Sequence, residues 1–133
     1  MIIVLDASAG IEIALDRSKA DIFNQKLLSA NKVIASDLYK IEVANVIWKY
    51  VQANMLEKAR ANKTLELAQS LVDEFIDIAE NNEESMNESI RSGHSTYDLL
   101  YFTLARRYSA TLITLDIKLK NIAENAGIEV ISG

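Results

Sequence analysis

The sequence predicts an α/β protein whose parallel sheet is covered by helices on both faces. Three observations carry that reading. Short apolar runs alternate along the chain with longer segments of helical periodicity. The runs are rich in Ile, Val and Leu and lack an in-and-out polar alternation, as strands buried on both faces require. Strands that alternate with helices need crossover connections, and these place helices against a parallel sheet.

Taken in order, Ile2–Leu5 is the first buried-type strand. Ala7 to Asp16 reads as a helix and Lys19 to Ala30 as a second. Lys32–Ala35 is a strand, followed by a long helix from Asp37 to Ala53. Thr64 to Glu74 is a further helix, with Thr64 as its expected N-cap. Phe75–Ile78 reads as a short strand. Asn82 to Arg91 is a polar helix that ends near Gly93, a residue suited to the left-handed turn of a helix end. Ser95 to Tyr108 is apolar through Ala105 and so must be buried. Thr111–Leu115 is a β-branched strand, Ile117 to Asn125 a helix stopped by Gly127, and Ile128–Ile131 the last strand. No Gly/Ser linker, repeat or low-complexity tract divides the chain, so residues 1–133 are expected to form a single domain.

Composition narrows the chemistry. There is no Cys, which removes disulfides, thiolate nucleophiles and Cys-ligated zinc. His94 is the one His, so a His-built zinc site or a Ser-His-Asp triad lacks its parts. A net charge of −5 argues against a non-specific nucleic-acid binder, which is usually basic. It leaves open an enzyme that meets phosphate through divalent cations. No stretch is long and uncharged enough to span a bilayer. The run Ile2–Leu5 is broken at once by Asp6 and has no basic flank, unlike a signal peptide. A cytoplasmic protein without membrane contact is expected.

In open parallel sheets, ligands bind beyond the carboxyl ends of the strands. Asp6 follows the first strand and Asp116 follows Thr111–Leu115. Either acid taken alone reads equally well as a helix N-cap. Thr114, two residues before Asp116, points to the same side of its strand. Glu42 sits in a helix between Leu38 at i−4 and Val46 at i+4, with Asn45 three residues on. A carboxylate among apolar neighbours is costly unless paired or bound to a cation, although an exposed helix rim would also accommodate it. Asp98 lies three residues after Ser95, an arrangement like a capping box. Together these acids fall at corresponding ends of the alternating pattern. Crowded carboxylates repel and raise one another's pKa unless a cation joins them. Mg²⁺ or Mn²⁺ suits such hard oxygen donors, and helix N-termini add positive potential at the same edge.

At this point the residues resemble a known family. Val4-Leu5-Asp6-Ala7-Ser8 is similar to the opening of PIN-domain proteins. Ile41-Glu42-Val43-Ala44-Asn45 resembles their second motif, Tyr97-Asp98-Leu99-Leu100-Tyr101 with Leu104-Ala105 the third, and Leu112-Ile113-Thr114-Leu115-Asp116 with Leu119 the fourth. Order, spacing and length resemble the VapC-type toxins of toxin–antitoxin pairs over essentially the whole chain. The resemblance implies a three-layer α/β/α sandwich with a five-stranded parallel sheet. It implies an Mg²⁺- or Mn²⁺-dependent endoribonuclease that leaves 5′-phosphate and 3′-hydroxyl ends. Asp6, Glu42, Asp98 and Asp116 match the metal-site acids, and Ser8, Asn45 and Thr114 would support them. A cognate antitoxin would be the protein partner, RNA the substrate, and a homodimer the expected assembly. An RNA-processing nuclease without a toxin role, or an inactive PIN-fold binding module, are the alternatives; the length leaves little room for an added RNA-binding domain. The segment Asn82–His94 is more polar than the family leads one to expect, and the lack of Pro is unusual.

Other features have plain explanations. Tyr97 and Tyr101, four apart on one helix, read as core packing, with base stacking as the alternative. Arg106 and Arg107 suit a helix C-terminus, and Lys118 and Lys120 a solvated face. His94 reads as a loop residue at a helix entry. A response-regulator receiver would show a paired acid after the first strand and a late Lys-Pro step; an aspartyl phosphatase would show a second Asp where Ser8 stands. Neither pattern is present.

Overall fold

The computed structural model describes residues 1–133. Five parallel strands, β1 (Ile2–Leu5), β2 (Lys32–Ser36), β3 (Glu74–Ile76), β4 (Thr111–Ile113) and β5 (Val130–Ile131), form one sheet in the order β3-β2-β1-β4-β5. Seven α-helices flank it: α1 (Ala7–Ala14), α2 (Ala20–Ser29), α3 (Leu38–Gln52), α4 (Ala61–Ser70), α5 (Asn82–Ser92), α6 (Thr96–Tyr108) and α7 (Ile117–Asn125). No helix is long and apolar enough to cross a membrane.

Strand periodicity builds the three layers. Ile3 and Leu5 of β1, Val33 and Ala35 of β2, and Ile113 of β4 enter one apolar cluster with α1 to α4. Val4, Ile34 and Leu112, the intervening residues, enter a second cluster with α6 and α7. Because successive side chains point to opposite faces, each strand feeds both cores, and its continuous apolar run follows. Strand order reverses at β1. The chain adds β2 and β3 on one side, then crosses to add β4 and β5 on the other. The crevice between the carboxyl ends of β1 and β4 is the switch point where such sheets bind ligands.

The polar helix α5 packs on α6 through hydrogen bonds rather than apolar contact. Asn81 Nδ2 donates to the Leu100 carbonyl and to Thr103 Oγ1, both at 2.9 Å. Ser85 Oγ donates to the Asn81 carbonyl at 2.7 Å and lies 2.7 Å from Thr103 Oγ1. Outside that seam, Arg106 binds Glu84 at 2.7 Å and Glu88 at 3.0 Å, and Arg107 binds Glu84 at 2.6 Å. The arginines therefore lace α6 to α5 as well as closing the C-terminal end of α6. Gly93, at φ 79°, ends α5 in the left-handed conformation.

Several expectations are corrected, among them the end of the helix expected over Thr64 to Glu74, which stops at Ser70 so that Glu74 opens β3. Thr64 does not cap α4. A 3-10 turn at Lys58–Arg60 leads into a helix that starts at Ala61, and the buried Thr64 hydroxyl donates to the Arg60 carbonyl at 2.9 Å from inside the helix. Tyr97 is not core: it is 64 % exposed, whereas Tyr101 is 3 % exposed. Strand β4 is also shorter than its β-branched run. Beyond Ile113 the backbone leaves the β1 ladder, and Leu115 N donates to Ser8 Oγ at 2.9 Å.

Helix α1 carries the first acid on its N-terminus, and its seat on α3 is tight. A Cβ at Gly10 would stand 2.1 Å from the Tyr39 hydroxyl oxygen. That hydroxyl is buried and donates to the Ala68 carbonyl at 2.6 Å. Alanine normally favours a helix over glycine, yet Gly10→Ala is expected to destabilise the fold by about 1–3 kcal/mol through overpacking. Urea denaturation of the two proteins checks the sign.

Candidate functional site

Four acids distant in sequence meet at the carboxyl edge of the sheet. A cavity of about 290 Å³ is lined by Asp6, Glu42, Asp98 and Asp116, together with Ser8, Asn45, Val46, Lys49, Tyr101 and Leu119 among others. Thr114 is fully buried behind this wall. All seven residues singled out by sequence therefore lie at one place, six on the cavity and one supporting it. A larger apolar groove of about 450 Å³ lies between α3 and α4, beside Ile47, Trp48, Val51 and Leu65, and no acid lines it. We locate chemistry at the smaller cavity because it gathers four acids distant in sequence, whereas Lys58 is the one charged residue on the groove and the acids of a further pocket beside α5 include Glu84 and Glu88, already paired with arginine.

Asp6 follows β1 directly and is 5 % exposed. Its Oδ1 accepts from Ala9 N at 3.1 Å, so the acid does cap α1, and from Ser8 Oγ at 2.5 Å. Its Oδ2 accepts from Thr114 Oγ1 at 2.5 Å. An ionised carboxylate only accepts, so each hydroxyl must turn its single proton toward Asp6. The acceptor sides of the same hydroxyls are used as well. Ser8 Oγ takes Leu115 N and Thr114 Oγ1 takes Asp116 N, both at 2.9 Å. Ser8 and Thr114 thereby tie the end of β1 to the end of β4 through one carboxylate.

Asp116 caps α7, accepting from Lys118 N at 2.9 Å and Leu119 N at 3.2 Å through Oδ1 alone. Asp98 stands in the first turn of α6. Ser95 is the cap there, accepting from Asp98 N at 3.3 Å. Glu42 projects from the second turn of α3 and is half-buried. Tyr101 donates to its Oε1 at 2.5 Å. The capping and site readings of Asp6 and Asp116 are thus compatible. A cap fixes one oxygen by the chain's own N–H groups and leaves lone pairs for the cavity.

Electrostatics mark the cavity as short of positive charge. Burial pushes the Asp6 carboxyl up, against the Ser8 and Thr114 hydroxyls and Ala9 N–H, and Asp116 adds to the rise. Burial pushes Glu42 up, the Tyr101 hydroxyl acts against it, and Asp6, Asp98 and Asp116 push further. Burial and Asp116 raise Asp98, against Ser95, Lys118 and His94. None of the four acids forms an ion pair. Lys49 is the one cationic residue lining the cavity. Sequence reasoning passed over Lys49, although it lies seven residues after Glu42 and four after Asn45, on the same helix face. It also read Tyr101 as packing, with base stacking as the alternative, and not as a partner of Glu42; its place one turn after Asp98 was the available signal.

Hard oxygen donors without His or Cys suit Mg²⁺ or Mn²⁺. No three His, Cys, Asp or Glu side chains stand close enough to one another to hold a metal ion as they are. The acids ring the cavity instead of converging on one point, as uncompensated like charges would. The donor set fits a divalent cation by its chemistry and by its uncompensated charge.

The family model described as PIN domain matches residues 3–125. Ribonuclease VapC3 of Pyrobaculum aerophilum is 26% identical over 121 residues, covering 90% of this chain and 92% of the relative. Among solved structures, a Pyrobaculum aerophilum protein superposes with a TM-score of 0.76 at 22% identity, over 98% of this chain and 89% of the other. The VapBC2 structure from Rickettsia felis, bound to a DNA fragment from their promoter, gives 0.68 at 22% identity, over 98% of both chains. These two likenesses show the fold.

The raised pKa of Glu42 has a signed consequence for stability. A carboxyl with a raised folded pKa contributes stability below its unfolded value, near 4.5, and loses it as pH rises through the folded pKa. Without divalent cations, Glu42→Gln should therefore gain stability relative to the unsubstituted protein as pH rises from below 4.5 to neutrality. Thermal melts of both proteins in chelator across that range read the difference, and a difference flat in pH would contradict the assignment.

Proposed function

The chain belongs to the PIN domain family, and from that premise we propose that it is a divalent-metal-dependent endoribonuclease, the toxin of a toxin–antitoxin pair. The observation that carries the reading is the ring of four carboxylates on one cavity at the sheet's switch point. Similarity to a ribonuclease over 90% of the chain supports it. Asp6, Glu42, Asp98 and Asp116 would hold Mg²⁺ or Mn²⁺. A bound ion of this kind lowers the pKa of a coordinated water and neutralises charge on phosphate oxygens.

The chain's own residues perform the rest. Ser8 and Thr114 orient Asp6 and favour its ionised form against burial by pointing both their protons at it. Backbone N–H groups at the start of α7 hold Asp116 by one oxygen. Asn45 offers an uncharged amide at the rim, which can donate to a phosphate oxygen without adding to the negative charge. Lys49 brings a cation to the same rim, where an anionic strand approaching an acidic protein needs one. A phosphodiester entering the cavity would lie between the acids that would hold the ion and Lys49 at the rim. The rate gain comes from positioning and charge neutralisation.

A cognate antitoxin is the protein partner in this reading, and the VapBC2 likeness supports it. The apolar groove between α3 and α4, with Trp48 57 % exposed at its side, supplies a surface for such a protein. A homodimer is the proposed assembly and the cytoplasm the proposed place of action.

Cleavage of a labelled single-stranded RNA by the purified protein tests the activity. Cutting should require Mn²⁺ or Mg²⁺ and stop in chelator. Asp98→Asn should lower the rate by more than about 100-fold, since losing even a group that only supports a metal ligand costs 10–100-fold. Cleavage that survives both chelator and substitution would overturn the reading.

A further inference from the structure

We propose that Tyr101 is a positioning residue of the acidic site: its phenol holds one oxygen of Glu42 and so presents the other to a divalent cation. The inference rests on the metal-dependent reading above and gives Tyr101, which ends the third motif, a role that the resemblance does not assign to it.

The four acids differ in how the chain fixes them. Asp6 is gripped by Ala9 N and two hydroxyls. Asp116 is gripped by two backbone N–H groups at the start of α7. Asp98 sits on the short arm of an aspartate in the first turn of α6. Glu42 has none of these supports. It lies in the second turn of α3, where N–H groups are already committed to the helix. Its side chain is longer by one rotatable bond, and no cation pairs with it. The Tyr101 hydroxyl, at 2.5 Å from Oε1, is the one side-chain group that restrains it.

Tyr101 is built to restrain. It is 3 % exposed, and its ring belongs to the apolar cluster that contains Val4, Ile34 and Leu104 beneath the sheet edge. A phenol on a packed ring has one degree of freedom left, the rotation of its proton. A phenol ordinarily titrates at about 10, so it stays protonated and donates at neutral pH. Oε2 of Glu42 accepts no hydrogen bond from the protein, and no buried polar side-chain atom lacks a partner, so Oε2 is open to the cavity. One helix thus supplies a site acid, Asp98, and one turn later the clamp for a second acid carried by α3.

The test titrates Mn²⁺ into the RNA-free protein, with free Mn²⁺ read by electron paramagnetic resonance, beside thermal melts. Four proteins are compared: unsubstituted, Tyr101→Phe, Glu42→Gln and the double variant. Tyr101→Phe keeps the ring and removes only the hydroxyl. It should weaken Mn²⁺ binding by about 10–100-fold, the range seen when groups behind metal ligands are lost. In the Glu42→Gln background the same change should have no further effect, because Tyr101 acts through Glu42. Should Tyr101→Phe fail to fold, Glu42→Asp draws the carboxylate back from the phenol at constant charge and should weaken Mn²⁺ binding over the same range. Unchanged Mn²⁺ affinity in Tyr101→Phe, or an equal further loss in the double variant, overturns the proposal while leaving the nuclease reading standing. If the unsubstituted protein binds no Mn²⁺, the metal-dependent reading falls and this inference with it.

Discussion

The Asp6 carboxylate is buried at the junction of β1 and β4 without an ion-pair partner, and the surrounding structure is arranged to keep it there. Moving an isolated ionised carboxylate out of water is among the largest penalties in a fold. Here it is met by two hydroxyls and one N–H, from Ser8, Thr114 and Ala9. Those partners bind backbone N–H groups of Leu115 and Asp116 in turn. The strand ends, the start of α1 and the approach to α7 are thereby fixed by one charge. A hydrocarbon core alone would pack these strands, but it would not hold their ends in register with an open crevice.

The same crevice receives charges that the fold does not neutralise. Glu42 and Asp98 are raised by burial and by their neighbours, and Lys49 is the one cationic residue on the wall. The protein's ion pairs lie elsewhere. Arg106 and Arg107 meet Glu84 and Glu88, and Arg17 lies 3.6 Å from Glu12. Four buried or half-buried acids around one cavity without cationic partners carry local instability at that point. Such instability is characteristic of a site shaped for a ligand rather than for the stability of the free protein.

The sheet and two of the four acids were legible in sequence for a common reason. Doubly buried strands force continuous apolar runs, and an acid that ends such a run must sit at the sheet edge. Asp6 after Leu5 and Asp116 shortly after Ile113 follow from that rule. What stayed hidden depends on tertiary contact. Helix α6 is apolar almost all round, so periodicity could not say that Tyr101 turns inward and Tyr97 outward. The start of α4 was misread at Thr64 because a 3-10 turn, which leaves no periodic trace, sets the helix going at Ala61. The polarity of α5 looked foreign to a core-packed helix; its Ser85 and the preceding Asn81 in fact meet Thr103 and the carbonyls of α6. Lys49 carries no signal beyond its spacing from Glu42, which many exposed lysines share.

The central claim is that these four carboxylates form one divalent-cation site. The most direct measurement is a crystal structure of the protein soaked in Mn²⁺, with anomalous difference density collected at the manganese absorption edge. The account predicts a peak inside the cavity, within coordination distance of at least two of Asp6, Glu42, Asp98 and Asp116, roughly 2.0–2.3 Å for oxygen ligands of such ions. An empty cavity at saturating Mn²⁺, or a peak bound to other residues, would contradict it.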